Sequence, residues 1–482
     1  MNLKRFLTLG SLASVAPIVE FASRFGRTII LSRLMSPAEF GIGVALTVVI
    51  GIAELVTDIG FDRFMMSRPR DDDREVLASM HKLQIARGLI LSASIFLASP
   101  WIAELFGTPD QVWSFRILAV LLLLRSVAHL ESKLVQRDFR YGPNAIASTL
   151  PHLAVFAAVY PAASLLGDHR AVLVILLVET AVYIIATHAL AKTRFSIVTT
   201  DRRILREAIT FGLPLTVNGI GIAMMGHLDR VLVGNWFGVE TLAFYAVLLN
   251  LTVLPITGIL RIFGVLGMSF LGRAQRNPTA LGQLSLILIW VFTVVAAGYA
   301  IFTAATIETL APLLFGRAYT VPPLIAAIVA VMVWLRVSRG APTIIMLSSG
   351  TTGRLMVANL LSGIGLGLAA LVLHLIPRLE TVFLCVMVGD VASLTTLFWG
   401  IREYMSGRLR LIGAYQLVSI ATTLLAASSV WIFPLTDILG RTIMFGCAAL
   451  AAGVQALYGL RRYFMTDTGG LGVPAKGSEQ SR

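Results

Sequence analysis

The chain has 482 residues, of which 57% are hydrophobic and 13% charged, with a mean hydropathy of +0.83, whereas a soluble domain carries about a quarter charged residues. Uncharged apolar runs of about 20 residues recur along its whole length, enough to cross a hydrocarbon layer of about 30 Å, which excludes a soluble enzyme. The 39 Lys and Arg against 26 Asp and Glu give a net charge of +13, which in a soluble protein would point to nucleic acid but here tracks the loops between crossings.

Hydropathy places crossings near 8–31, 41–61, 85–105, 112–131, 144–166, 171–191, 208–229, 241–263, 281–304, 321–338, 355–376, 382–401, 411–433 and 441–460, fourteen in all. A transmembrane barrel would alternate apolar and polar residues, yet Ile117 to Leu124 and Ala171 to Val178 are apolar on all sides. The fold class is therefore all-α and polytopic. The first run starts on a basic MNLKRF like a signal peptide, but Glu20, Arg24 and Arg27 interrupt it, so it reads as a retained first helix. Connections such as SPAEFG, GTPDQ, LGDHR, FGRAY and IPRLE are short and turn-like, leaving no room for an inserted extramembrane domain. Asp71, Asp72 and Asp73 stand between Arg70 and Arg74 and read as a solvated charge run. Cys385 and Cys447 lie inside apolar runs, and the histidines, His129, His188, His227 and His374 among them, lack ligand spacing, so no metal site, disulfide framework or cofactor is expected. The tail TDTGGLGVPAKGSEQSR is Gly- and Ser-rich and reads as disordered.

With the N-terminus inside, inner loops and termini hold about 27 Lys and Arg, against Arg33, Arg116, Arg170, Arg230, Arg317, Arg378 and Arg441 outside. Both termini are thus expected in the cytoplasm, and the net charge reports topology rather than nucleic-acid binding.

At an offset near 202 residues, RTIILSRLMSPAEFGIGVAL from Arg27 pairs with DRVLVGNWFGVETLAFYAVL from Asp229. Each reads as a charged helix end, an acidic turn, an aromatic with a small residue, and a second helix. Such internal symmetry marks transporters built from two similar bundles. The expected division is a lobe at 1–200 with helices one to six, a second at 201–402 with helices seven to twelve, two further helices at 403–463, and the tail at 464–482. The even helix count makes the repeats parallel in the membrane.

LSRLMSPAEFGIGVALTVVIGIAELVTDIGFDRFMM resembles the opening of polysaccharide-biosynthesis flippases of the multidrug/oligosaccharidyl-lipid/polysaccharide exporter superfamily, and HLDRVLVGNWFGVETLAFYAV is similar to that family's seventh-helix motif, with Ala243-Phe244-Tyr245 where Gly-Tyr is usual. The resemblance implies a V-shaped pair of six-helix lobes in a bacterial inner membrane. It also implies alternating access that carries an undecaprenyl-diphosphate-linked oligosaccharide outward for exopolysaccharide, capsule or O-antigen, without catalysis. Membrane lipids surround it, and a polymerase or glycosyltransferase of the same pathway is the implied partner. A lipid II flippase and a cation-coupled multidrug antiporter are neighbouring readings within the superfamily. A membrane glycosyltransferase or polymerase is disfavoured by the short outer loops.

Charge inside a crossing costs at least ~2.5 kcal/mol, so it normally faces a cavity or a partner. Pro17, Glu20, Arg24 and Arg27 share one face of the first helix; Thr47, Gly51, Glu54 and Asp58 one face of the second; Asn218, Met225 and Asp229 one face of the seventh; Asn250, Thr257 and Arg261 one face of the eighth. These faces are expected to line a polar cavity in which Arg24, Arg27 and Arg261 hold a diphosphate, with Glu20, Asn218 and Asn250 beside it. The alternative is pairing along the first helix, Glu20 with Arg24 or Arg27, that only neutralises charge. Glu54, Asp58 and Asp229 are candidates for proton or sodium coupling. Arg336 is expected to snorkel to the inner interface, Asp390 to make a polar interhelical contact, and Gly363 with Gly367 to form a close-packing face.

Overall fold

In hydrocarbon every backbone N–H and C=O must be paired within its own segment, and a sequence this apolar accordingly folds into helices. The computed structural model describes residues 3–56, 60–68, 73–138, 140–198, 201–275, 277–405, 409–433 and 438–464. The expected tail, Asp58, and the side chains of Pro17, Asn218, Met225 and Arg261 lie outside the described residues.

In chain order the helices are α1 (Leu3–Leu34), α2 (Pro37–Val56), α3 (Phe61–Ser67), α4 (Asp73–Leu105), α5 (Val112–Arg125), α6 (Glu131–Leu134), α7 (Gly142–Leu166) and α8 (Arg170–Ala189). They continue with α9 (Arg202–Ala274), α10 (Pro278–Phe315), α11 (Pro323–Ser338), α12 (Gly340–Ser348), α13 (Thr352–Val372), α14 (Leu379–Ile401), α15 (Leu409–Ile432) and α16 (Ile438–Phe464). Among the described residues eleven stretches are long and apolar enough to cross a membrane, making this a multi-pass membrane protein. The difference from fourteen has three sources. Of α1 the side chains before Ile18 lie outside the described residues, α5 has only 14 residues, and α9 is two helices joined at Gly238, where φ is 77°. That turn matches the break after α1 at Leu34 to Ser36, as the 202-residue repeat requires.

The chain divides into two compact units. The first comprises Met1–Gly258, Thr309–Thr320 and Leu366–Val382, with α1 on α7, α7 on α8 and α4 on α5. Phe61, Phe64, Met65, Leu77, Met80 and Leu130 seal the base of this bundle. At its other end the two repeat turns abut: a Cβ on Gly41 would lie 1.9 Å from the Val239 carbonyl oxygen, a distance only glycine permits. Arg33 Nε donates to the Leu314 carbonyl at 2.7 Å, and the same guanidinium reaches the Leu313 carbonyl. It thus caps the orphan carbonyls at the end of α10.

The second unit comprises Ile259–Glu308, Val321–Gly365 and Phe383–Arg482. α15 packs on α11 and α16, and Trp334 Nε1 donates to Ser419 Oγ at 2.7 Å. Gly363 and Gly367 have open space where a Cβ would stand, contrary to the expected packing face. The close crossing of α13 and α14 uses the opposite face: a Cβ on Gly365 would sit 2.4 Å from the Cys385 carbonyl oxygen, and one on Gly389 2.3 Å from that of Ser362.

Candidate functional site

Seven helices of the first unit contribute charged side chains to a set of neighbouring pairs. On α1, Arg24 meets Glu20 at 2.9 Å, one helical turn away, with the two side chains 54% and 36% exposed. Arg27, one turn further along, is 3.8 Å from Glu179 on α8, an ion pair longer than a hydrogen bond. Arg125 at the end of α5 pairs with Glu54 of α2 at 3.0 Å and lies over the Tyr183 ring at 5.4 Å. Arg87 on α4 donates to the Glu54 carbonyl at 3.4 Å, and Lys133 meets Asp62 at 2.9 Å. α1 is anchored beside the cluster by Ser23 Oγ, which donates to the His152 carbonyl at 2.9 Å.

The remaining candidates are placed as follows. Asp229 is buried; its Oδ2 accepts from the Tyr245 hydroxyl at 2.9 Å and its Oδ1 from the Arg230 amide at 2.8 Å, so the tyrosine of the repeat motif closes on the aspartate at its start. Asn250 donates to the carbonyl of Ala246 in its own helix at 2.9 Å. A Cβ on Gly51 would meet His227 Cε1 at 2.7 Å, which locates α2 against α9. Glu39, from the PAEFG turn, accepts from the His169 amide at 3.0 Å and lies 2.6 Å from its Nδ1, fixing the start of α8 against that of α2.

Sequence reasoning missed Glu179, Arg125 and Arg87. Each is a lone charge within or at the edge of an apolar run, VILLVETAV, LLLLR and QIARGLI, the same signal that drew attention to Arg24. It also missed Arg339, which donates to Asp390 Oδ1 at 2.6 Å while Arg336 Nε lies 3.5 Å from Oδ2. Asp390 is in polar interhelical contact, and Arg336 turns to it.

The dispersed histidines partly converge. The His81 and His129 rings are 4.7 Å apart and those of His129 and His188 5.4 Å, with Phe195 stacked 4.2 Å from His81. His81 Nε2 accepts from the Leu130 amide at 3.2 Å, so the ring is occupied as a packing and hydrogen-bonding group. Among the described residues no group of His, Cys, Asp or Glu could hold a metal ion. Beside them Glu131 Oε2 accepts from the Lys192 amide at 2.9 Å and from the amide and hydroxyl of Thr193 at 2.7 and 2.6 Å. Burial works to raise the Glu131 carboxyl, but these bonds and the nearby His129 outweigh it and hold it below the ordinary carboxylate value. The segment after α8 is thereby clasped to the bundle. Asp73 likewise binds Arg137 through both oxygens, at 2.9 and 2.8 Å.

Residues 30–322 match the family model described as polysaccharide biosynthesis protein. The chain is 20% identical over 255 residues to the teichuronic acid biosynthesis protein TuaB of Bacillus subtilis (strain 168), spanning 50% of this chain and 49% of that protein. It is 27% identical over 131 residues to the succinoglycan biosynthesis transport protein ExoT of Rhizobium meliloti (strain 1021), spanning 27% and 26%. The matches thus span half or less of the length of these curated relatives. Among solved structures, the lipid II flippase MurJ in an inward closed conformation aligns with a TM-score of 0.67 at 10% identity, over 95% of this chain and 100% of that one. An inward-facing multidrug resistance MATE family transporter aligns with a TM-score of 0.62 at 16% identity, over 82% and 96%. Those two likenesses establish the fold. With more than half of its residues matched by the family model, the chain belongs to the polysaccharide biosynthesis protein family and carries the membrane fold of the multidrug/oligosaccharidyl-lipid/polysaccharide exporter superfamily.

Proposed function

We propose that the protein is a flippase that carries an undecaprenyl-diphosphate-linked oligosaccharide from the cytoplasmic to the outer leaflet of a bacterial inner membrane by alternating access, for exopolysaccharide, capsule or O-antigen. The observation that carries this reading is the pair Arg24 and Arg27, on one face of an apolar helix. Arg24 is half exposed with, among the described residues, only a same-helix partner, and Arg27 stands 3.8 Å from its carboxylate. Both guanidiniums therefore keep donors for an anion, and guanidinium presents paired N–H groups that match phosphate oxygens. Arg261, Glu20, Asn218 and Asn250 would complete the contact surface, and the polyprenyl chain would stay in lipid. Translocation breaks no bond, so no catalytic group is required.

The loop charges support cytoplasmic termini, and the 1–200 and 201–402 repeat supports two lobes moving against each other. Of the candidate coupling carboxylates, Glu54 is already ion-paired to Arg125, and Asp58 remains a candidate on its position in the second run alone. Asp229 is the better coupling group because its donors, Tyr245 and a backbone amide, are neutral. A polymerase or glycosyltransferase of the same pathway is the partner this reading implies.

The test is deletion of the gene followed by extraction, mass spectrometry and leaflet-accessibility labelling of lipid-linked glycans. Accumulation facing the cytoplasm, reversed by the wild-type gene and not by Arg24→Ala, is the expected result. Unchanged lipid-linked glycans with raised sensitivity to cationic drugs would replace the flippase reading with a multidrug antiporter.

A further inference from the structure

The second unit holds an arginine without a carboxylate of its own. Among the described residues its acidic side chains are Glu308, Asp390 and Glu403. Glu308 is taken by Arg441 and Glu403 by Arg354. That leaves Asp390 to serve both Arg336 and Arg339. The sharing is unequal: Arg339 Nη1 is 2.6 Å from Asp390 Oδ1 and 3.1 Å from Ser362 Oγ, and Ser362 Oγ itself donates to Oδ1 at 3.1 Å. Arg336 Nε stands 3.5 Å from Oδ2, an oxygen that accepts no hydrogen bond among the described residues. The Gly365 and Gly389 crossing builds this arrangement, because it brings Ser362 of α13 to Asp390 of α14. Asp390 lies eleven residues into a 23-residue apolar helix, so the cluster sits near the middle of a crossing with one positive charge in excess. An excess charge at that depth calls for water or an anion. Arg336 and Arg339 are 23% and 18% exposed while Asp390 is 4%, so the accessible surface of the cluster belongs to the guanidiniums and not to the carboxylate.

We propose that Arg336 and Arg339 form an anion site in the second unit that takes the phosphate of the translocated lipid, with Asp390 as the resident counter-ion from which Arg336 detaches when the phosphate arrives. The proposal rests on the flippase reading and adds a phosphate contact separate from Arg24 and Arg27.

The test uses the full-length protein in phosphatidylcholine nanodiscs, titrated with inorganic pyrophosphate and with farnesyl diphosphate. Arg336→Gln should weaken farnesyl diphosphate binding about tenfold, Arg336→Lys should weaken it less, and Asp390→Asn, by removing the competing anion, should tighten it severalfold. A purely structural cluster gives the opposite sign for Asp390→Asn, because both guanidiniums would lose their counter-charge and the site would collapse. Weakening by Asp390→Asn, or no response to Arg336→Gln, overturns the proposal; if Arg336→Gln does not fold, the opposed signs of Arg336→Lys and Asp390→Asn decide it. Pyrophosphate binding as tightly as farnesyl diphosphate would give the site to free phosphate and overturn the lipid assignment. The leaflet assay judges the flippase reading separately: glycan accumulation with an unresponsive Arg336 sinks only this site, and binding without accumulation sinks only the flippase.

Discussion

The crossing of α13 and α14 makes opposite predictions for four glycines on one pair of helices. A Cβ added at Gly389 would stand 2.3 Å from the Ser362 carbonyl oxygen, and one at Gly365 2.4 Å from that of Cys385, where ordinary contact begins at 3.4 Å. Both obstacles are backbone, so no side chain can turn aside and the helices must part by about 1 Å, an overpacking that costs about 1–3 kcal/mol. Alanine returns part of this, since glycine in a helix is worse by about 0.5–1 kcal/mol. Gly389→Ala and Gly365→Ala should therefore each destabilise by about 1–2 kcal/mol. At Gly363 and Gly367 a Cβ meets nothing within 4 Å, so Gly363→Ala and Gly367→Ala should be neutral or stabilise by about 0.5 kcal/mol from propensity alone. Unfolding of the detergent-solubilised protein by titration with sodium dodecyl sulfate, followed by tryptophan fluorescence, measures all four. Equal losses at Gly363 and Gly389 would refute the crossing, and with it the placement of Ser362 against Asp390.

Three further outcomes follow from the pairs described. Arg33→Ala removes two charge-assisted bonds to the end of α10 and should loosen that end by about 1 kcal/mol, read as a loss of disulfide cross-linking between Phe40→Cys and Tyr319→Cys, whose native rings are 6.3 Å apart, in a background free of Cys385 and Cys447. Arg441→Leu should cost about 3–5 kcal/mol because it strands the buried Glu308, and more than Glu308→Gln, because Arg441 Nε also bonds the Phe433 carbonyl at 2.8 Å; thermal unfolding of the two variants gives the order. The Glu131 clasp has a lowered carboxyl, so its contribution is complete above the unfolded carboxylate value of about 4.3 and is lost as pH falls through the folded value below it. Hydrogen exchange over 192–198, corrected for intrinsic rate, should stay slow at neutral pH and quicken only once pH falls below the ordinary carboxylate value, whereas Glu131→Gln should be fast throughout.

The all-helical fold and the position of most crossings were legible because a crossing is a one-dimensional property: any run of about 20 apolar residues must form a helix whatever its neighbours do. The 202-residue repeat was legible for a similar reason, since the turn at Ser36 and the turn at Gly238 interrupt otherwise continuous helices. Rotation about each helix axis was not. Gly363 and Gly365 are two residues apart, roughly 200° around a helix, and a small-xxx-small pattern is satisfied by either face; only the partner helix selects one. Cross-helix partners were illegible on the same ground. Arg27 has Glu20 seven residues back on its own face, but its nearest carboxylate is Glu179, on a helix more than 150 residues later. Likewise nothing local to Asp390 announces Arg339, which reaches it from the end of α11, more than 50 residues earlier.

A guanidinium bracketed by a carboxylate in hydrocarbon acts as a packing element, while a wholly unbracketed one is too costly to insert. Ligand binding requires a case between these limits, in which a partner neutralises enough charge for folding and holds it loosely enough to let go. Arg125 and Arg441 each have a carboxylate of their own on another helix at 3.0 Å or less, and Arg339 has one at 2.6 Å that it shares with Arg336. Arg27 and Arg336 have theirs at 3.8 and 3.5 Å, and Arg24 shares Glu20 of its own turn while half exposed. Partner distance, and whether the partner comes from another helix, thus sort six arginines that look alike in sequence, and the sorting predicts a dissociation of phenotypes. Glutamine at Arg125 or Arg441 should lower the unfolding midpoint, while glutamine at Arg24, Arg27 or Arg336 should leave it nearly unchanged and lower glycan export in the leaflet assay. Loss of stability at Arg27 comparable to that at Arg441 would make the loose pair structural, and the first helix would then offer the headgroup Arg24 alone.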